Sequence, residues 1–316
     1  MEGMTFYYNW EVQLMEAIQS ILGTAGVYIM SFFTTLGEEA VMIGVMAFLY
    51  WCYDKEMAKF IGINMVTGLV LNPMIKNVFL RRRPYFDNPG IKCLKPVNSK
   101  YDIYDIAAQG FSFPSGHSMN SGIMYGSFPA YKGREGKNFK ILLAIGIGIP
   151  FLVGISRFSL GVHYPTDVLV GWTVGFAVIM IIPRLERALK SRYKMMFIIW
   201  LISLIGIFYC RTNDYFTGLG IMTGLFAAIW FEERYVDFKN TKDPVKCALR
   251  LIFGLAFYFG LNTLLKLPFS SDFLSSGTMA SFMVRTVRYT IVTFVILGVY
   301  PLCFDRIKLG RKPGEK

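Results

Sequence analysis

Histidine is almost missing from this chain, which has only His117 and His163 among 316 residues. That excludes a histidine-rich metal centre and confines imidazole chemistry to two positions. Cysteine is sparse too, and Cys52, Cys93, Cys210, Cys247 and Cys303 fall mostly at the ends of apolar segments. They form no CxxC or Cys/His pattern, so neither a zinc site nor a disulfide framework is expected. Buried thiols are the default, with one Cys93–Cys210 bridge conceivable because both would share a membrane side. The opening MEGMTFYYNWE has no basic n-region or small-residue cleavage pattern, so a retained N-terminus is expected. No fixed-period repeat or low-complexity tract interrupts the chain. Charged residues are only 17% against 54% hydrophobic and 16% aromatic, a balance too apolar for an ordinary soluble enzyme.

Long apolar runs take the place of what is missing. A helix needs roughly 17–25 mostly apolar residues to cross a bilayer, and about ten candidate runs recur. They are 13–35, 39–53, 57–80, 116–131, 139–157, 166–184, 195–210, 215–231, 248–268 and 279–304, several of them short. The fold class expected is therefore all-α: a polytopic membrane helical bundle with a six-helix catalytic core and about four additional transmembrane helices. Gln13, Glu16 and Gln19 make one face of the first run polar, so it lies in the interface or packs inside the bundle. Residues 81–113 carry prolines, glycine and charges and read as loop. A charged stretch at 184–194 divides the chain into a catalytic part, 1–194, and a transmembrane extension, 195–316.

Three polar stretches carry chemistry. In KNVFLRRRP, Lys76 and Arg83 are seven residues apart and share a helical face if the helix continues two turns, with a boundary near Pro84. An arginine fork and a lysine point charge together suit a phosphate group. Arg81 and Arg82 read at least equally well as ordinary interfacial contacts to headgroups. In FSFPSGHSMN, Ser115, Gly116 and His117 lead into the fourth run, where unpaired helix N-terminal amides meet an anion and Gly116 allows close approach. His117 can act there as general acid. Alone, PSGH could equally be a proline-led helix start. In SRFSLGVHYPTD, Arg157 ends the fifth run, and Asp167 lies four residues after His163, back toward the imidazole if a helix begins near Pro165. A carboxylate there fixes the tautomer and leaves the other ring nitrogen free to attack. The plainer alternative is a helix-start carboxylate favoured by the macrodipole. Alternating spans bring all these ends to one side.

K-x6-R-P at Lys76, Arg83 and Pro84, P-S-G-H at 114–117, and S-R-x5-H-x3-D at Ser156, Arg157, His163 and Asp167 resemble the three motifs of the type 2 phosphatidic acid phosphatase superfamily. The resemblance covers roughly 57–184. It implies that His163 attacks phosphorus to give a phosphohistidine, that Asp167 supports it, and that His117 protonates the leaving group. Lys76, Arg83, Ser115, Gly116 and Arg157 would hold the phosphoryl oxygens, with no metal or other cofactor required. The YWCYD stretch at 50–54, the FSFPSGH form and the extra spans look most similar to sphingosine-phosphate-phosphatase-like members.

The net charge of +12 sorts by membrane side, which reads as topology and not as nucleic-acid binding. The greater part of the 33 Lys and Arg, including Lys132, Arg134, Lys137, Lys140, Arg184, Arg187, Arg306, Lys308, Arg311, Lys312 and Lys316, lies away from the motifs. The expected site is therefore extracytoplasmic, facing periplasm, outside or lumen, with both termini cytoplasmic. Hydrolysis of a lipid phosphate or diphosphate is the leading reading, and membrane lipids are the other expected partners. Lipid phosphotransfer through the same intermediate, or a non-catalytic phosphate-lipid transporter or scaffold, are the alternatives. Vanadate haloperoxidases share the family pocket but are soluble. Arg285 and Arg288, one turn apart in the last span, either snorkel to headgroups or add charge for a second phosphate.

Overall fold

Apolar runs punctuated by proline, glycine and capping residues become helices throughout the computed structural model, which describes residues 3–134, 136 and 138–304. In chain order these are α1 (Asn9–Thr35), α2 (Glu39–Phe48), α3 (Lys55–Phe79), α4 (Pro84–Asp87), α5 (Ile106–Gln109), α6 (Gly116–Lys132) and α7 (Phe139–Ser159). There follow α8 (Pro165–Leu189), α9 (Arg192–Leu204), α10 (Asn213–Phe231), α11 (Pro244–Leu264), α12 (Ser271–Ser275) and α13 (Met279–Phe294). Wider π turns extend α2, α10 and α13 at Leu49–Tyr53, Glu232–Val236 and Val295–Val299. Among the described residues there is no strand, only a single bridge between Met4 and Arg81.

The protein is an all-α polytopic membrane bundle. Among the described residues, seven helical segments are long and apolar enough to cross a bilayer: 9–35, 55–79, 139–159, 165–189, 213–236, 244–264 and 279–303. The other three expected runs are helical but shorter: Glu39–Tyr53, Gly116–Lys132, and Arg192–Leu204 continued by a 3₁₀ turn at Ile205–Phe208. The expected loop 81–113 contains α4 and α5, the latter capped by the Asp105 carboxylate, which accepts from the amides of Ala107 and Ala108. All five cysteines are free thiols, and Cys303 is exposed, contrary to the expectation of burial.

Two compact units form, and they do not follow chain order: residues 1–44 with 64–215, and residues 45–63 with 216–316. In the first, α6 packs against α7 and α8, and α1 against α7. Small residues set the α6–α8 distance. A Cβ added at Gly171 would fall 2.7 Å from Ser115 O, and one at Gly175 2.7 Å from Met119 O. Backbone approach of this kind is how membrane helices gain packing where lipid gives no hydrophobic drive. It fixes the start of α8 beside the start of α6, where the motifs lie. The polar side of α1 docks on the loop below it: Gln19 Nε2 donates to Lys92 O at 2.9 Å and its Oε1 accepts from Lys92 N at 2.9 Å. Most of α1 is otherwise outward-facing, as a span in lipid would be.

In the second unit α11 packs on α13, and Gly220 and Gly224 of α10 face the backbone of α13 at Thr286 and Thr290. Lys59, almost fully buried, meets Glu232 at 2.6 Å and Glu56 at 2.8 Å, while Lys55 meets Glu232 at 2.7 Å. Glu232 is wholly buried, so two cations offset the cost of taking one carboxylate out of solvent.

Candidate active site

α3 stops at Phe79, where Leu80 takes a positive φ of 48°. The helix does not continue the two turns on which a shared face for Lys76 and Arg83 depended. The chain instead runs extended through 81–83, tied to the N-terminal segment by Met4 N to Leu80 O (2.7 Å) and Arg82 N to Met4 O (2.9 Å). That extended run alternates its side chains, and Arg83 turns into the site. Its Nε donates to Gln109 O (2.9 Å), and its Nη1 donates to Val162 O (2.8 Å) and lies 3.4 Å from His163 Nε2.

His163 sits on the short link between α7 and α8, only 2% exposed. A guanidinium has no lone pair to offer, so Nε2 facing Arg83 is the unprotonated nitrogen and Nδ1 carries the proton. Nδ1 lies 3.5 Å from Asp167 Oδ2, too long for a strong hydrogen bond in the free protein. Burial first, then Arg83, Arg157, Lys76 and His117, holds the imidazole well below its ordinary value of 6.5. Lys76 and Arg83 of the first motif and Arg157 of the third thus lie close enough to disfavour a charge on this imidazole.

The start of α6 lies beside Asp167 and offers a cradle. Ser115 caps it, its Oγ accepting from Ser118 Oγ at 2.9 Å, and Ser115 N donates to Asp167 O at 2.9 Å. Asn72, one turn before Lys76 on α3, holds this loop by donating from Nδ2 to Pro114 O at 3.2 Å. A Cβ at Gly116 would lie 3.3 Å from Asn72 Oδ1, so the glycine keeps the approach open. Arg157, at the end of α7, donates from Nη1 to Thr34 Oγ1 at 2.6 Å, and its Nε is buried with no acceptor. Arg157, Lys76, Arg83 and Lys95 all lie within electrostatic reach of His117. Among the described residues no three His, Cys, Asp or Glu side chains converge as metal ligands.

Sequence reasoning missed the support behind Asp167. Arg81 is not a headgroup contact; it is 1% exposed, held between two carboxylates. Its Nη1 meets Asp167 Oδ1 at 2.7 Å and Thr166 Oγ1 at 2.8 Å, its Nη2 meets Glu11 Oε2 at 2.9 Å, and its Nε donates to Phe6 O at 2.8 Å. The guanidinium lies 3.9 Å over the Tyr164 ring. Glu11, fully buried, also accepts from the amide of Thr166 at 3.0 Å and its hydroxyl at 2.6 Å. Asp167 is thus more than a helix-start carboxylate: Oδ2 accepts Tyr164 N at 2.8 Å as a cap while Oδ1 is taken by Arg81. The available signal was Glu11 itself, an acidic residue at the head of an apolar span. Arg82 is also paired, with Asp87 at 3.1 Å and Thr5. Lys95, bound to Glu38 at 2.8 Å, was likewise not singled out.

Along these helices the sequence matches known families. Residues 57–191 match the PAP2 superfamily, and residues 216–312 match the transmembrane extension of PAP2 superfamily phosphatases. The chain is 38% identical over 128 residues to phosphatidylglycerophosphatase B of Bacillus subtilis, covering 39% of this chain and 55% of that protein. It is 30% identical over 149 residues to undecaprenyl-diphosphatase of Sulfolobus acidocaldarius, covering 46% of this chain and 64% of that protein. The match therefore spans less than two thirds of either relative. No solved structure matches significantly. With the motif-bearing helices matched by one family description and the later spans by the extension that accompanies it, the chain belongs to the PAP2 superfamily.

Proposed function

We propose that the protein is an integral membrane phosphatase acting on a lipid phosphate or diphosphate through a phosphohistidine on His163. The observation that carries this reading is the buried imidazole of His163, with Nδ1 toward Asp167 and Nε2 3.4 Å from Arg83 Nη1, where burial, Arg83, Arg157 and Lys76 disfavour its protonated form. An incoming phosphate supplies the acceptors that Arg157 Nε lacks and draws Arg83 off Nε2, leaving that nitrogen's lone pair for in-line attack. Asp167 stabilises the positive charge that develops on the ring, and the cations with the α6 amides hold the phosphoryl oxygens as charge builds in the transition state. His117 gives its proton to the leaving oxygen, and water then discharges His163. The two relatives act, by name, on a phosphatidylglycerophosphate and an undecaprenyl diphosphate, which supports a lipid phosphate or diphosphate as the substrate class.

In this proposal residues 1–194 carry the catalysis and 195–316 form an appended membrane part. The site faces away from the cytoplasm. Lys132, Arg134, Lys140, Arg184 and Arg187 stand at the ends of α6, α7 and α8 opposite the motifs, which supports that sidedness by the positive-inside rule. Lys137 and the basic residues of 305–316, together with the chain ends whose cytoplasmic placement the sequence suggests, lie outside the described residues. The test is phosphate release from a panel of lipid mono- and diphosphates by the purified protein in detergent with EDTA present. Turnover of at least one lipid is expected. Binding without release across the panel would instead favour a carrier or scaffold.

A further inference from the structure

We propose that Lys95, held in the free protein by Glu38, binds the second phosphate of a lipid diphosphate and so sets the preference of this site for diphosphates over monophosphates. The proposal deepens the phosphatase reading above and rests on its placing of His117 at the leaving oxygen. The turn between α1 and α2, residues 34–38, lines that side. Thr34 Oγ1 accepts from Arg157 Nη1 at 2.6 Å, and Leu36 O accepts from Tyr125 Oη of α6 at 2.9 Å. A Cβ added at Gly37 would fall 3.3 Å from Cδ2 of His117, so the imidazole lies against this glycine. The next residue, Glu38, meets Lys95 Nζ at 2.8 Å.

The backbone of Lys95 is anchored near the second histidine. Leu94 N donates to Leu160 O at 3.0 Å, and the Leu94 side chain packs on the cluster of Tyr85, Leu160 and Val162. Leu160 and Val162 belong to the link that leads into His163. Lys95 thus runs from the link that carries His163 to the turn that touches His117. Its side chain is 32% exposed, and a lysine ammonium has three donors. Glu38 takes one, and among the described residues no other acceptor meets it. An ion pair this exposed stabilises little, so an anion displaces the carboxylate at small cost.

The chemistry needs such a cation for one substrate class. Nε2 of His163 bonds to the terminal phosphorus, the bond to the ester or bridging oxygen breaks, and its electron pair departs with the leaving group. From a monophosphate that group is an alkoxide, which a proton from His117 makes uncharged. From a diphosphate it is a phosphate monoester, still anionic after the proton arrives. Lys76, Arg83 and Arg157 serve the transferred phosphoryl group, and Lys95 meets the inner phosphate with a compact charge on a flexible stem.

The full-length protein in detergent is titrated with methylenediphosphonate, whose P–C–P link resists hydrolysis, and with inorganic phosphate, the thermal midpoint reporting each affinity. Wild type should bind the diphosphonate more tightly than phosphate. Lys95→Met should weaken the diphosphonate roughly 10-fold or more, the size of a lost charged hydrogen bond, without weakening phosphate. Glu38→Gln breaks the ion pair but keeps the cation, and should bind the diphosphonate at least as tightly as wild type. The ratio of kcat/KM for farnesyl diphosphate over farnesyl phosphate should fall by the same factor in Lys95→Met. No diphosphonate preference in wild type, an unchanged preference in Lys95→Met, or equal losses in both variants, which would mark a structural latch, would each overturn the site. A Lys95-dependent preference without turnover of either lipid would keep the site and remove the phosphatase reading.

Discussion

Replacing Arg81 by lysine tests whether the nucleophile depends on a residue that never touches phosphate. The guanidinium bridges four acceptors, at 2.7 Å to Asp167, 2.8 Å to Thr166, 2.9 Å to Glu11 and 2.8 Å to Phe6 O. Alanine would strand two fully buried carboxylates, Glu11 and Asp167, at a cost of about 3–5 kcal/mol for each pair broken, close to the whole stability of many domains. Lysine keeps the charge but cannot span the fork. At least one charged hydrogen bond is lost, about 1.5–3 kcal/mol. If Asp167 is the bond released, that energy is missing when the His163 ring becomes positive, and kcat falls about 10- to 100-fold at 1.4 kcal/mol per decade. KM should hold, because Nε, Nη1 and Nη2 of Arg81 are all engaged by protein acceptors. The assay is steady-state release of phosphate from a lipid substrate in detergent, paired with a thermal melt to establish folding. A folded Lys variant with unchanged kcat would refute the reasoning, and a raised KM at constant kcat would make Arg81 a substrate ligand.

Three further outcomes follow from the same geometry. His117→Ala should lose roughly 10²-fold or more on a lipid phosphomonoester, whose alkoxide needs a proton, and far less on p-nitrophenyl phosphate; equal losses on both would remove His117 from the acid role. Because burial and the surrounding cations disfavour the His163 imidazolium, the neutral nucleophile stays fully populated at pH 6.5 and is lost only at lower pH. The acid limb of kcat/KM attributed to it should therefore fall below 6.5, and a limb at or above that value would contradict the assignment. Gly171→Ala brings a Cβ to 2.7 Å from Ser115 O, so the α6–α8 contact must open at a cost of about 1–3 kcal/mol, read as a lowered melting midpoint; an unshifted midpoint would mean that the contact is looser than described.

The polar residues of the three motifs were legible in the sequence because each is a chemical anomaly in an apolar chain, and alternation of spans assigns them to one end of the helices. The helix class was legible from the length of the runs. Helix ends were less so. Leu80 carries no local stop signal, and the break there depends on pairing with Met4, some 76 residues away in sequence. The short α6, polar at its start because it builds the site, was still located by the run 116–131 to within one residue. The Glu11–Arg81–Asp167 bridge joins three segments far apart in the chain, and a run of three arginines gives no hint which of them are buried or what they meet. The boundary near 194 follows composition, whereas the compact units exchange chain within α2, α3 and α10, a feature of packing that composition does not encode.

The central claim is that His163 takes the phosphoryl group, and trapping the intermediate tests it most directly. His117→Ala is mixed with p-nitrophenyl phosphate, quenched in alkali, where phosphohistidine survives and acyl phosphate does not, and mapped by mass spectrometry. The account predicts one phosphorylated peptide, modified at His163, and none from His163→Ala treated identically. Label on another residue, or burst-free turnover with no phosphoenzyme, would contradict it.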